Sequence, residues 1–578
     1  MNDAGRVSSQ RARSAERRVA QILALVLSLS ISAIAGAQLC ATDVQRRLPV
    51  SVVYGEGAAG RSARDIVIFT PEDDGTVRAT DGANGTTLWA FRPPELQGAV
   101  LPTGLITELR VLRFDANGDG VIDAADGDKV WLYFGLRRGG PFYYALDATD
   151  RVSATVLWKA GPGQLPFLGY GWSPPTLARV RIADAAQNGE HFVLILGGGL
   201  DEDAMARPSE GAEGAAWVVG AGNRLLMLDA ATGELLWSAG GPSSRTNDID
   251  SGAHPVAGPP DLLLPAMQDS MPARVTALDT NGDHYADRMY AADIAGRIWR
   301  FDISNNHRAS ALVSGGIFAL LGADAEPGAS ALRFFNAPDV ALVHPQGAAP
   351  FHHLAVGSGD ARTPRETSSR DRFFSLRDYA PSTPLDQPAY DAMAPLLPTQ
   401  LVDVTSAPGA PLPPDARGWR IDLAAPEGHA GEKVLAEAVT ADGVVLFTTY
   451  QPPQPPHTED CLAAGTNRVY ALQVHTASAV LDVNRDSELT EEDRSMELMV
   501  EGIAAEAIVR LRDPAAVRNP PNGAPGFPGD PGLPGDPSDP ASPRGSPPAG
   551  CHVGEERLEA CPATRVLRRT FWQRRGIN

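Results

Sequence analysis

Residues 222–240 read GNRLLMLDAATGELLWSAG, a strand–turn–strand unit whose reading decides the fold. An alternating strand ends in Leu-Asp, a Thr-Gly turn closes a hairpin, and a second strand ends in Leu-Trp. Two copies stand upstream, DDGTVRATDGANGTTLWAF at 73–91 and PFYYALDATDRVSATVLWKA at 141–160. AGRIWRFDISNNHRASALV (295–313) is a looser version, and TNRVYALQVHTASAVLDV (466–483) is looser still. The alternation predicts half-buried strands, with each Asp capping its turn and each Trp packing between neighbouring units. Asp81, Asp147, Asp229 and Asp302 recur at intervals of 66, 82 and 73 residues, which leaves room for about four strands per unit plus insertions. Units of this kind arrayed around an axis form an all-β propeller, which exposes few sheet edges. A β-sandwich array is the other candidate.

The N-terminus reads as an export signal. Arg6, Arg11, Arg13, Arg17 and Arg18 precede the apolar run ILALVLSLSISAIAGA, which ends in the Ala35-Gly36-Ala37 cleavage pattern. The run falls short of the roughly 20 residues that a spanning helix needs. A signal peptide at 1–37 is therefore expected, with no integral membrane span after cleavage. The chain carries a net charge of −20, and losing that basic segment makes the remainder more acidic still. Such a balance disfavours nucleic acid. Cys40, Cys461, Cys551 and Cys561 allow three pairings, of which Cys551–Cys561 closes the shortest loop. Segment 514–548 has glycine at every third position from Gly523 to Gly535 amid abundant proline. Five collagen-like triplets are few for a triple helix, so an extended, solvated insertion is expected.

Three stretches crowd oxygen-bearing side chains at alternate positions. DTNGDHYAD (279–287) offers Asp279, Asn281, Asp283, the Tyr285 carbonyl and Asp287. DANGDGVIDAAD (115–126) offers Asp115, Asn117, Asp119, the Val121 carbonyl, Asp123 and Asp126, with Gly120 at the sharp turn. DVNRDSELTEED (482–493) offers Asp482, Asn484, Asp486, the Glu488 carbonyl and Asp493, with Ser487 where glycine is usual. Crowded carboxylates repel unless a cation sits among them. Oxygen donors at positions 1, 3, 5, 7 and 9 or 12 are the ligand plan of a Ca²⁺ loop.

Enzyme patterns fail on inspection. GYGWSPP (169–175) lacks the second glycine of a nucleophile elbow, and AVGSGD (355–360) lacks the first. VLILGGGL (193–200) has no Gly-Lys-Ser/Thr and reads as a turn. His352-His353 form no metal spacing with other His or Cys. Nothing gathers an acid, a base and a nucleophile, so no enzyme is expected.

LDTNGDHYADRMYAADIAGRIWRFDI (278–303) closely resembles the signature of the PilC/PilY family of type IV pilus biogenesis proteins. VWLYFGLRRGGPFYYALD (130–147), LGYGWSPPTL (168–177), DRFFSLRDY (371–379) and GEKVLAEAVTADGVVLFTTYQP (431–452) resemble it too, as does RRTFWQRR (568–575). The resemblance implies a β-propeller of about seven blades over residues 50–578, interrupted by the 514–548 insertion. It implies calcium on Asp279, Asn281, Asp283 and Asp287, and pilins, minor pilins and the pilus assembly machinery as partners. A host or surface receptor is a further implied partner. The implied role is pilus assembly or extension against retraction, with adhesion or twitching motility. The implied location is the periplasm, outer membrane or cell surface. The von Willebrand A-like region of long family members has no counterpart motif in this sequence. Two other classes share the LDAATGELLW blade motif: quinoprotein dehydrogenases that bind PQQ, and envelope scaffold propellers. The first usually carries a vicinal cysteine pair, and no two cysteines are adjacent here.

Overall fold

The computed structural model describes residues 48–558, except 57–63, 98–103, 184–188, 202–220, 242–258, 323–331, 346, 407–411, 414, 425–428, 454–464, 501, 505, 511–549 and 554–555. The expected signal peptide, the 514–548 insertion, the tail at 565–572, and Cys40, Cys461 and Cys561 lie outside the described residues.

Seven sheets follow one another along the chain, six of four or five strands and a last one of three. Blade 1 holds Val50–Glu56, Arg64–Pro71, Val77–Asp81 and Thr87–Phe91; blade 2 holds Arg110–Phe114, Lys129–Gly135, Tyr143–Asp147 and Thr155–Ala160. Blade 3 holds Thr176–Arg181, Glu190–Gly197, Arg224–Asp229 and Leu235–Gly240; blade 4 holds Thr276–Leu278, Arg288–Ala292, Arg297–Ile303 and Val313–Leu320. Blade 5 holds Asp339–Val343, Phe351–Gly357, Arg372–Asp378 and Gly418–Asp422; blade 6 holds Val439–Ala441, Val444–Gln451, Thr466–Gln473 and Ser495–Leu498. Blade 7 holds Ala507–Arg510, Gly550–Val553 and Glu556–Leu558. Blades 3 and 5 each gain a short parallel outer strand, Leu262–Leu263 and Val402–Asp403. The two α-helices among the described residues, Ala309–Leu312 and Gln387–Ala392, are peripheral single turns.

First strands touch from blade 1 to 2, 2 to 3, 3 to 4, 5 to 6 and 6 to 7, which sets them around a common axis. This is the propeller that the repeats predict. The core is a set of layers between blades. Val52, Phe69 and Val111 share one layer across blades 1 and 2, and Ile195, Trp237 and Trp299 share another across blades 3 and 4.

The expectation of half-buried strands needs correction. Along Glu190–Gly197, Val193 and Ile195 enter the layer shared with blade 4, while Leu194 and Leu196 enter the layer shared with blade 2. A blade sandwiched on both sides buries both faces, so apolar side chains such as these enter the core from each face of its central strands. Each such side chain contributes about 1.5–3 kcal/mol on burial.

The turn aspartates behave as read in three units. Asp81, Asp147 and Asp229 accept the amide two residues on, at 2.8, 2.9 and 2.9 Å. Asp302 departs from that reading: it is buried, bonds Arg288 Nε at 2.7 Å and accepts from the Tyr390 hydroxyl at 2.6 Å. Trp158 does bridge units, its indole N–H donating to the Ala230 carbonyl of blade 3 at 3.0 Å. A single ring over 50–578 closes where its last strands meet its first, which would place 466–474 or 565–572 beside 50–91. Thr466–Gln473 pairs instead with Val444–Gln451 and Ser495–Leu498 inside blade 6.

Candidate functional site

Strand alternation sorts the connections between two faces. Loops joining first to second and third to fourth strands open on one face; entries to first strands lie on the other. Loop 115–128 joins the first two strands of blade 2, and loop 279–287 joins the first two of blade 4. Loop 482–493 lies between the third and fourth strands of blade 6. All three acidic loops therefore open on the same face.

Each loop is wound by its own carboxylates onto its own amides. In 279–287, Asp279 Oδ1 accepts from Gly282 N at 2.6 Å and Oδ2 from His284 N at 2.9 Å. Asn281 Oδ1 accepts from Asp283 N and Asp283 Oδ1 from Tyr285 N, at 2.8 and 2.9 Å. In 115–128, Asp115 takes Gly118 N and Gly120 N, Asn117 takes Asp119 N, and Asp119 takes Val121 N. In 482–493, Asp482 takes Ser487 N, Asn484 takes Asp486 N, and Asp486 takes Glu488 N. Position 6 is left-handed in all three, with φ of 84° at Gly120, 74° at His284 and 69° at Ser487. Only the first is glycine, so the other two carry strain of roughly 1–2 kcal/mol each.

One residue that the twelve-position template missed is Asp128. Its carboxylate takes the amides of Ala116 and Asp123 at 2.7 and 2.9 Å. Asp287 takes Thr280 N at 2.8 Å, and Asp493 takes Val483 N at 2.9 Å. All three therefore brace loop position 2, from positions 14, 9 and 12. Asp123 caps a turn through Ala125 N at 2.9 Å, while Asp126 meets Asn117 Nδ2 at 3.1 Å.

Each loop also leans on the preceding blade. Ile122 N donates to Tyr54 O of blade 1 at 2.7 Å, and Arg113 Nε donates to Val53 O at 2.8 Å. Ala286 N donates to Arg179 O of blade 3 at 2.9 Å. The Tyr285 hydroxyl accepts from Arg181 at 2.8 Å and donates to Glu190, and the Arg181 guanidinium lies 4.0 Å from the ring centre. Arg494, directly after the third loop, donates to Val404 O beside blade 5 at 2.9 Å. The seams spanned are 1–2, 3–4 and 5–6.

Among the described residues, no three His, Cys, Asp or Glu side chains are gathered closely enough to hold a metal by themselves. Each loop instead mixes carboxylates with an Asn amide and a position-7 carbonyl. That is an all-oxygen set, the donor chemistry of a hard divalent cation. Asp482 Oδ1 is buried without a hydrogen-bond partner. Burial pushes the Asp287 carboxyl above the usual range; its Thr280 bonds work against this, and the Asp283 and Asp279 charges add to it. Amide bonds hold Asp128 and Asp493 below that range.

The other singled-out motifs are structural. His353 is buried between Thr440 and Ser375 at 3.1 and 2.8 Å, and burial pushes its imidazole down to about 3. Burial likewise takes His352 down to about 4. Gly197 in VLILGGGL lies so close to Met271 that an added Cβ would meet its carbonyl at 2.2 Å. The glycines admit a backbone crossing.

The fold and its acidic face define a seven-sheet β-propeller carrying oxygen-rich seam loops. No family model matches the chain. A type IV pilus biogenesis factor PilY1 from Pseudomonas aeruginosa is 26% identical over 265 residues, covering 43% of this chain and 18% of that protein. A PilY1 homolog from Xylella fastidiosa is 23% identical over 447 residues, covering 72% of this chain and 26% of that protein. The chain thus spans under a third of the length of these curated relatives. The crystal structure of the Pseudomonas aeruginosa PilY1 C-terminal domain matches with a TM-score of 0.52 and 19% identity, covering 78% of this chain and 90% of that one. The chain is thus similar in sequence to PilY1 proteins and shares the fold of the PilY1 C-terminal domain.

Proposed function

We propose that this propeller is an exported, calcium-binding component of type IV pilus biogenesis that acts by protein–protein contact and is not an enzyme. The relationship to proteins named as pilus biogenesis factors carries the reading. No helix among the described residues is long and apolar enough to cross a membrane. Asp279, Asn281, Asp283, Asp287 and the Tyr285 carbonyl would hold Ca²⁺ in blade 4. The corresponding residues at 115–126 and 482–493 would do so in blades 2 and 6. A bound divalent ion supplies positive charge that relieves carboxylate repulsion and stiffens the loop. The residues themselves set the consequence: Tyr285, Ile122 and Arg494 pass loop order to the neighbouring blade. A ring held at three seams presents a fixed surface to pilins, minor pilins or the assembly machinery, and adhesion or twitching would follow from piliation.

The test is deletion of the gene, with surface pili counted in strains with and without the retraction motor. The reading expects few pili in the single deletion and recovery when the motor is also absent. Wild-type piliation in the single deletion would refute it.

A further inference from the structure

The face opposite the acidic loops opens into an axial cavity of about 90 Å³. Every blade lends it residues from the entry to its first strand. Leu48 comes from blade 1, Pro174 from blade 3 and Asn336 from blade 5. Six charged side chains line it: Glu108 and Arg110 at the entry to blade 2, Arg137 after that blade's second strand, and Arg274, Glu437 and Glu506 at the entries to blades 4, 6 and 7. Three are arginines and three are glutamates.

They are not equally engaged. Arg274 forms a two-point ion pair with Glu437, with Nε to Oε1 at 2.9 Å, which ties blade 4 to blade 6 across the axis. Arg137 stacks on Trp172, its guanidinium carbon 4.1 Å from the ring centre. Arg110, Glu108 and Glu506 make no side-chain hydrogen bond or ion pair among the described residues, although each feels the others' charge. Arg110 donors and the acceptors of two carboxylates, unused among the described residues, thus border one small space. A lone anion would meet Glu108 and Glu506, and a lone cation would meet Arg110 and Arg274. A molecule with both charges a few bonds apart satisfies both sets. At about 10–15 Å³ per water-sized position, the cavity offers roughly six to nine such positions, the scale of a small α-amino acid.

We propose that the axial cavity is a binding site for a small zwitterion of the α-amino-acid type. Its carboxylate would be held by Arg110 and its ammonium by Glu506 and Glu108, while the Arg274–Glu437 pair forms a fixed wall.

Calorimetric titration of the purified chain with glycine and with L-alanine tests this, using acetate and methylamine as single-charge controls. Saturable binding of an amino acid without binding of either control is expected. Arg110→Gln and Glu506→Gln should each weaken it by about tenfold or more, since each removes a charge-assisted contact. Circular dichroism and melting of each variant establish that it is folded, and the four-ligand comparison on wild type needs no variant. No heat with either amino acid at millimolar concentration would mean that water alone fills the cavity. Acetate binding as tightly as L-alanine would mean a plain anion site. Either result overturns the proposal.

Discussion

The Tyr285 hydroxyl, on the acidic loop of blade 4, donates to the Glu190 carboxylate of blade 3 and accepts from Arg181 at 2.8 Å. The residue whose carbonyl stands at position 7 of the loop thus anchors that loop to the preceding blade. Tyr285→Phe keeps the carbonyl and the ring but loses the polar anchor. Glu190 and Arg181 are both well solvated at 43% and 38% side-chain exposure, so the stability loss should be only about 0.5–1 kcal/mol. The loop should hold calcium several-fold more weakly. Calcium titration, with melting in calcium and in chelator, checks this; an unchanged calcium-induced shift in melting would disconnect seam and loop.

Trp158 and Gly233 make a second seam. The indole of blade 2 lies over the blade 3 turn, where an added Cβ at Gly233 would stand 2.7 Å from the ring and φ is +73°. Trp158→Ala should cost about 3–5 kcal/mol. Gly233→Ala should cost more than about 1 kcal/mol from left-handed backbone strain alone, before any clash with the indole. Urea denaturation measures both, and near-neutral values would show that the seam adds little.

Glu506 carries a pH prediction. It lines the axial cavity at the entry to blade 7, and it keeps solvent-accessible surface there. Withdrawal from bulk water, then the Glu437 and Glu108 charges, push its carboxyl up to about 7, against the pull of Arg110 and Arg274. Between its ordinary value near 4.5 and that raised one, the folded chain holds a proton that the unfolded chain has released. Stability from this group therefore falls as pH rises through that window. Glu506→Gln should gain melting temperature relative to wild type from the acid to the alkaline side. A constant difference across the range would contradict the shift.

Residues 514–548 should be dispensable for folding. Arg510 pairs with Gly550 in adjacent strands of blade 7, so the described residues flanking the insertion stand side by side. A short Gly/Ser turn can replace it, and stability should stay within about 0.5 kcal/mol. A large drop in the melting midpoint would show that the insertion packs on the ring.

Much of this architecture is local and so was legible. The hairpins at Asp147 and Asp229 announce themselves because turn, cap and Trp lie within a few residues. The acidic loops do so for the same reason. What escaped depends on distant contacts. Asp128 lies beyond a twelve-residue template because a helical turn at Ala124–Asp126 lengthens that loop. Asp302 looks like its fellow turn aspartates, but an insertion carrying Tyr390 folds over it. The axial cluster joins residues as far apart as Glu108 and Glu506, and the Arg274–Glu437 pair spans 163 positions. No spacing rule marks them; only the ring brings them together.

The central claim is that the acidic face is a set of calcium sites, and counting ions in Asp283→Ala against wild type tests it most directly. Asp283 Oδ1 winds the loop by accepting Tyr285 N at 2.9 Å, and the side chain is exposed, so the variant should remain folded. With three carboxylates in the loop, affinity should fall on the order of 10⁻⁶–10⁻³ M. The account predicts one fewer calcium ion per chain in the variant, with the ions at 115–126 and 482–493 retained. An equal stoichiometry in variant and wild type would contradict it and leave 279–287 a charged turn.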